Sequence, residues 1–214
     1  CLYRYSLVGT VLVMVMGLCG LTVIAAPGVG GAAGGVSGVR HLGGRVSAVF
    51  AADTYVLWAR GAALEVASAD GANRLGGLLL PELIVDIDVE GQTAFVAAVD
   101  GLYLIEITDL SAPTQTRFIP APPLSDLAAV SAVEATAGYA YVGLAEGGLW
   151  TVDLAAPPEA AGVVTPTGQF VNELTQAGSF LISLDTSAPS RPRVWSLSNP
   201  AAPADLGELA TRAD

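Results

Sequence analysis

The side chains best suited to chemistry in this 214-residue chain are carboxylates. Asp86, Asp88 and Glu90 alternate with apolar residues in IVDIDVE, Glu134 lies in VSAVEAT, and Asn172 and Glu173 stand side by side further on. Asp100, Glu146 and Asp185 fall in turn-like segments that would share a rim with them. Converging oxygen donors of this kind suit a hard cation such as calcium. No compact calcium-loop spacing is present, so the competing reading is a solvated acidic rim. Calcium is the one cofactor these residues suggest.

Other chemistries find little to work with. A Ser-His-Asp or Cys-His arrangement needs a histidine beside its nucleophile. The single histidine, His41, and both cysteines, Cys1 and Cys19, precede the patterned part of the chain. Zinc sites fail on the same absence, and so do disulfides in the folded part. The glycine run between Gly28 and Gly38 has neither a strand before it nor a helix after it, as a phosphate loop requires. The formal net charge is −11, and a nucleic acid would be repelled by it.

The elements that must position the carboxylates are short strands. Apolar residues come in brief alternating runs rather than at helical spacing. One spelling returns along the chain: GLYLIEITDLSAP from Gly101, GLWTVDLAAPPEA from Gly148 and RPRVWSLSNPAAP from Arg191. Anchors at Val56, Val96, Val142 and Ile182, and at Glu65, Glu106, Asp153 and Ser196, recur every 40 to 47 residues. That period marks a stacked β-sheet array, above all a β-propeller. The expected fold is all-β, with about four four-stranded blades at 45–81, 82–126, 127–168 and 169–210.

In such a fold the first strand of each blade lines the central channel. Asp86, Asp88, Glu90, Glu134, Asn172 and Glu173 would then face that channel. The acid recurring at Glu65, Glu106 and Asp153 reads differently, because a position repeated in every blade is architectural. Trp58, Trp150, Trp195, Tyr55, Phe95, Tyr103, Tyr141 and Phe180 fall on strand positions and read as core between blades rather than as a sugar-binding surface.

The second repeat is the clearest. Strands are expected at Ile84–Glu90, Thr93–Val99, Leu102–Thr108 and Gln115–Ile119, with a hairpin at Asp100-Gly101. The segment from Asp109 to Pro113 breaks the pattern, since proline donates nothing to a ladder. The first repeat is the most degenerate, as a capping repeat would be.

Residues 1–25 read as a secretory signal peptide or membrane-anchor helix. Arg4 precedes an uncharged apolar stretch from Leu7 to Ala26, with Val23 and Ala25 at the cleavage positions. Residues 26–44 are glycine-rich and behave as a flexible tether to a membrane or cell wall. The expected location is therefore periplasmic, extracellular or cell-surface.

The stretch VDIDVEGQTAFVAAVDGLYLIEITDLSAPTQ, Val85 to Gln115, resembles an LVIVD repeat. The likeness extends to AYVGLAEGGLWTVDLAAPPEAAG and more weakly to the fourth repeat, where Ser196 replaces the usual acid. The resemblance implies a propeller of the broad WD and YVTN-like class, common among exported bacterial proteins, with no general activity attached. Rings of that family commonly hold more repeats, and this chain begins with cysteine. The expectation is an incomplete ring.

The functional expectation is an exported binding or scaffold module for a protein or carbohydrate ligand. An enzyme of the propeller lactonase or hydrolase type, using channel carboxylates around a divalent ion, is the competing class. A third reading makes this the N-terminal part of a larger surface protein.

Overall fold

Period-two alternation becomes sixteen strands in four antiparallel sheets. The computed structural model describes residues 11–14, 22–25, 46–123, 130–145, 147–160, 162–168, 170–185 and 192–209. His41, Cys1, Cys19, Glu146 and the glycine-rich tether lie outside the described residues.

Sheet 1 holds β3 (Ala48–Ala51), β4 (Tyr55–Arg60), β5 (Ala63–Ser68) and β6 (Arg74–Leu79) in that order. Sheet 2 holds β7 (Ile84–Glu90), β8 (Thr93–Ala98), β9 (Gly101–Glu106) and β10 (Thr114–Pro120). Sheet 3 holds β11 (Val130–Thr136), β12 (Tyr139–Leu144), β13 (Gly148–Asp153) and β14 (Gly162–Pro166). Sheet 4 holds β15 (Glu173–Ala177), β16 (Phe180–Leu184), β17 (Arg193–Ser196) and β18 (Ala204–Glu208). Each is an up-and-down meander. Of the strands expected in the second repeat, Ile84–Glu90 matches to the residue and the other three differ by one or two residues at their ends.

In the leader, β1 (Val11–Met14) and β2 (Thr22–Ala25) pair antiparallel. The described leader residues thus correct the expected anchor helix. Two of the four residues of β1 and three of the four of β2 are β-branched, and β-branched side chains favour strands over helices. Among the described residues no helix is long and apolar enough to cross a membrane.

The ladders also correct the repeat anchors. Tyr55 pairs with Ser68, Thr93 with Glu106, Tyr139 with Asp153 and Phe180 with Ser196. The first-repeat equivalent of Glu106 is therefore Ser68, not Glu65. Likewise the equivalents of Val96 and Val142 are Trp58 and Ser183, opposite Glu65 and Arg193. The β4–β5 and β8–β9 turns are equally short, so the slip in the first repeat came from following an acid, Glu65, that resembles Glu106. In the fourth the longer β16–β17 connection shifts the spacing.

Glu65 and Arg193 thus stand where Tyr103 and Trp150 stand in sheets 2 and 3. The aromatic positions are replaced by ion pairs: Glu65 with Arg60 at 2.9 Å and with Arg74 at 3.5 Å, and Arg193 with Asp205.

The chain divides into two compact units. One contains sheet 1 and Ile107–Thr114; the other contains Asp88–Glu106 and sheets 3 and 4. In the first unit, a Cβ on Gly76 of β6 would collide with the backbone of Leu110 and Ser111. In the second, Ala132, Tyr141 and Leu149 of sheet 3 form a buried cluster with Leu174, Leu181, Trp195 and Leu197. Trp58, Trp150, Trp195, Phe95, Tyr103 and Tyr141 are all buried. Tyr55 is half-buried and Phe180 is 43% exposed, so neither joins that core.

Candidate functional site

The carboxylates nominated for ligand binding sit on first strands and in hairpin turns, and ladder register sorts them. Asp88 and Glu134 occupy one equivalent position, Asp86 and Glu173 another, each counted back from the hairpin that follows. Asp86 Oδ1 accepts the backbone N–H of Ile87 at 2.9 Å.

Asp88 and Glu90 reach the next sheet. Asp88 Oδ2 accepts the N–H of Ala135 at 2.7 Å, and Glu90 Oε1 accepts that of Ala137 at 2.9 Å. Ala137 is a non-glycine residue held at φ 53°, in the left-handed region that costs an L-residue energy. Glu90 therefore satisfies the donor of a strained turn. The Asp88 bond places the carboxylate one residue from Glu134 along β11. A charged acceptor on a partly buried N–H is a strong hydrogen bond, contributing about 1.5–3 kcal/mol.

The remaining candidates lie at the other end of the sheets. Asn172 donates its backbone N–H to Leu184 O at 2.9 Å, and Leu184 pairs with Glu173. Asp185 follows directly, so Asn172, Glu173 and Asp185 share one end of sheet 4. Asp100 clips the β8–β9 turn instead. Its Oδ2 accepts the Tyr103 hydroxyl at 2.8 Å, and its carbonyl accepts the N–H of Ala121 at 2.9 Å. The Tyr103 ring meets Phe118 at 4.6 Å. Gly101 follows because a Cβ there would strike the carbonyl oxygen of Ile119. Among the described residues, no three Asp, Glu, His or Cys side chains gather closely enough to hold a metal ion.

The repeated acids and the proline loops serve the sheets. Asp153 Oδ1 accepts the N–H of Ala155 at 2.8 Å, closing its own loop. In the loop after β9, Asp109 Oδ1 takes the N–H of Ser111 at 2.9 Å and its hydroxyl at 2.6 Å. The Ser111 hydroxyl, then its N–H, holds the Asp109 carboxyl below the usual carboxylate range.

These loops are also where neighbouring sheets grip one another. Arg117 of β10 donates to Leu154 O at 2.6 Å and to Ala156 O. Tyr141 of β12 donates its hydroxyl to Pro200 O at 3.0 Å, and Ser131 donates to Val171 O. Burial, with a smaller contribution from nearby Tyr139, pushes the Tyr141 hydroxyl up to about 12. Sequence reasoning missed Arg117 and Tyr141 as clamps. The only signal was the recurrence of the proline loop, which read as a strand breaker.

The outer strands are the most open parts. Leu79 of β6 is 76% exposed, Val163 of β14 67% and Leu206 of β18 59%.

The LVIVD repeat family matches residues 84–117 and 129–160. No curated protein sequence matches the chain. Solved structures with the same architecture include the β-propeller domain of Myceliophteria thermophila Cps50 (Swd1). It is 14% identical with a TM-score of 0.70, covering 98% of this chain and 72% of that one. The Neurospora crassa Pan2 WD40 domain is 10% identical with a TM-score of 0.63, covering 99% of this chain and 66% of that one. The computationally designed Ika4 protein is 12% identical with a TM-score of 0.54, covering 72% of this chain and 91% of that one. At these identities the likeness establishes a β-propeller fold. The chain spans about two thirds of the Pan2 domain.

Proposed function

From a chain that carries two LVIVD repeats in a β-propeller fold, we propose an exported scaffold that binds a protein or carbohydrate ligand. The observation that carries this reading is the use made of Asp88 and Glu90. Carboxylates that a hydrolytic or metal centre would employ accept backbone N–H groups of the next sheet. With those groups committed to architecture, binding falls to the turns and outer strands, where Leu79, Val163 and Leu206 stand open. An outer strand offers a ligand an edge with one free side, the geometry by which extended peptides join sheets. The apolar leader and glycine-rich tether support export and attachment at a cell surface.

The test compares binding with turnover. Purified chain is passed over immobilised peptidoglycan, chitin and extended peptides, and assayed with a lactone and an aryl ester in calcium. The scaffold reading expects saturable retention by one of the surfaces and no turnover. Hydrolysis that disappears in Asp86→Asn, Glu134→Gln or Glu173→Gln, with folding intact, would replace it with the enzyme reading.

A further inference from the structure

We infer, on the basis of the scaffold reading, that the free edge of β14 takes up an extended, basic peptide as a further strand of sheet 3. Sheet 3 lies inside one compact unit. Sheet 2 grips it through Arg117, and sheet 4 packs on it through Leu181 and Trp195. β14 is its last strand and pairs with β13 alone.

Register shows which backbone groups of β14 are free. Thr167 donates its N–H to Gly147 O at 2.7 Å, one step beyond the β13–β14 ladder. Counting back by twos, Thr165 and Val163 turn their backbone groups to β13. Gly162, Val164 and Pro166 turn theirs outward. The N–H and C=O of Gly162 and Val164, with the C=O of Pro166, form a short template for another strand. Pro166 lacks a donor only on the free side, so it ends the template without breaking the ladder.

The side chains leave this edge unguarded. Outer strands of soluble sheets are protected by charges and bulges. β6 carries Arg74, β10 carries Arg117, and β18 carries Asp205 and Glu208. The ladders that hold β6 and β18 are bulged as well. β14, GVVTP, has no charged residue, and its ladder to β13 is regular. Val163 is 67% exposed. Gly162 puts no side chain in the way, and a Cβ there would strike the Trp150 indole.

These groups also define the partner. Only an extended chain can pair with Gly162 and Val164 together. Its residue opposite Val163 packs on that side chain, so a β-branched residue fits there. Charge selects its ends. Exposed Glu159 stands just before β14, and the net charge is −11. A basic peptide is therefore attracted, and a second copy of the chain is repelled.

The test titrates the chain into a labelled peptide of alternating valine and threonine between two terminal arginines, read by fluorescence anisotropy. The expected result is saturable binding. It should weaken at least about tenfold in Val163→Lys, and as much when the peptide backbone is N-methylated. Leu206→Lys, on β18, should bind as the wild type does. Val164→Pro removes one outward N–H and no ladder bond, and should also bind weakly. Should it fail to fold, Val163→Lys at an exposed position decides alone. Equal binding by Val163→Lys, or of the N-methylated peptide, would overturn the inference. So would a chain that sediments as a dimer in the wild type and as a monomer in Val163→Lys, because the edge would then hold a second copy. Retention on chitin or peptidoglycan with no peptide bound would overturn it too, and would leave the scaffold reading in place.

Discussion

The carboxylate of Asp88 and the backbone nitrogen of Ala135 are 2.7 Å apart, although 47 residues separate them in sequence. This bond joins the first strand of one sheet to the first strand of the next. It turns a residue nominated for ligand binding into part of the framework. Asp88→Ala should lower stability by about 1–3 kcal/mol, because it leaves a partly buried N–H without its acceptor. Asp88→Asn keeps an acceptor and should lose less. Urea unfolding of the two variants measures the difference.

Ala137 pays for its backbone conformation. At φ 53° its Cβ is crowded, whereas glycine adopts this conformation freely. Ala137→Gly should therefore raise stability by about 0.5–1 kcal/mol, a net of relieved strain over the extra entropy of an unfolded glycine. The same substitution at Ala135, inside β11, should lower it. Thermal melts of both variants would show opposite shifts.

Arg117 grips two carbonyls of one loop, those of Leu154 and Ala156. The planar guanidinium can donate to both at once, whereas a lysine ammonium is a compact point charge. Arg117→Lys should recover only part of the roughly 1–3 kcal/mol lost in Arg117→Ala. Equal losses in the two variants would show that the fork geometry matters and the charge alone does not.

Tyr141 gives the fold an alkaline limit. Its hydroxyl is pushed up from the ordinary 10.0 to about 12 by burial. The unfolded chain therefore releases this proton first, and the stability tied to it is complete below pH 10.0 and lost as pH rises toward about 12. Tyr141→Phe should flatten that decline. It should also remove the bond to Pro200 O, costing about 1 kcal/mol at neutral pH. Denaturant midpoints measured from neutral to strongly alkaline pH check both effects.

The strands were legible because their signal is local. IVDIDVE alternates within seven residues, and β7 occupies those same residues. The β8–β9 hairpin was legible for a like reason, although its turn residues are Val99 and Asp100, one step before those expected, and Gly101 already opens β9. The anchors went astray where the signal was relative: Glu65 looks like Glu106 in sequence, but the ladder sets Ser68 opposite Tyr55. The roles of the acids were not legible. A strand sequence shows that Asp88 leaves one face of its sheet, not that the N–H of Ala135 meets it there. The proline loop posed the same problem, since its gripping partners Arg117 and Tyr141 lie in other repeats. Glu146 falls outside the described residues.

Amide hydrogen exchange at Ala135, read by NMR in the wild-type chain and in Asp88→Ala, tests the central claim most directly. The account predicts a protected Ala135 amide that exchanges at least about tenfold faster in the variant, with Val133 on the same strand little changed. Equal protection in the two proteins would contradict it, and Asp88 would return to the list of side chains available for a ligand.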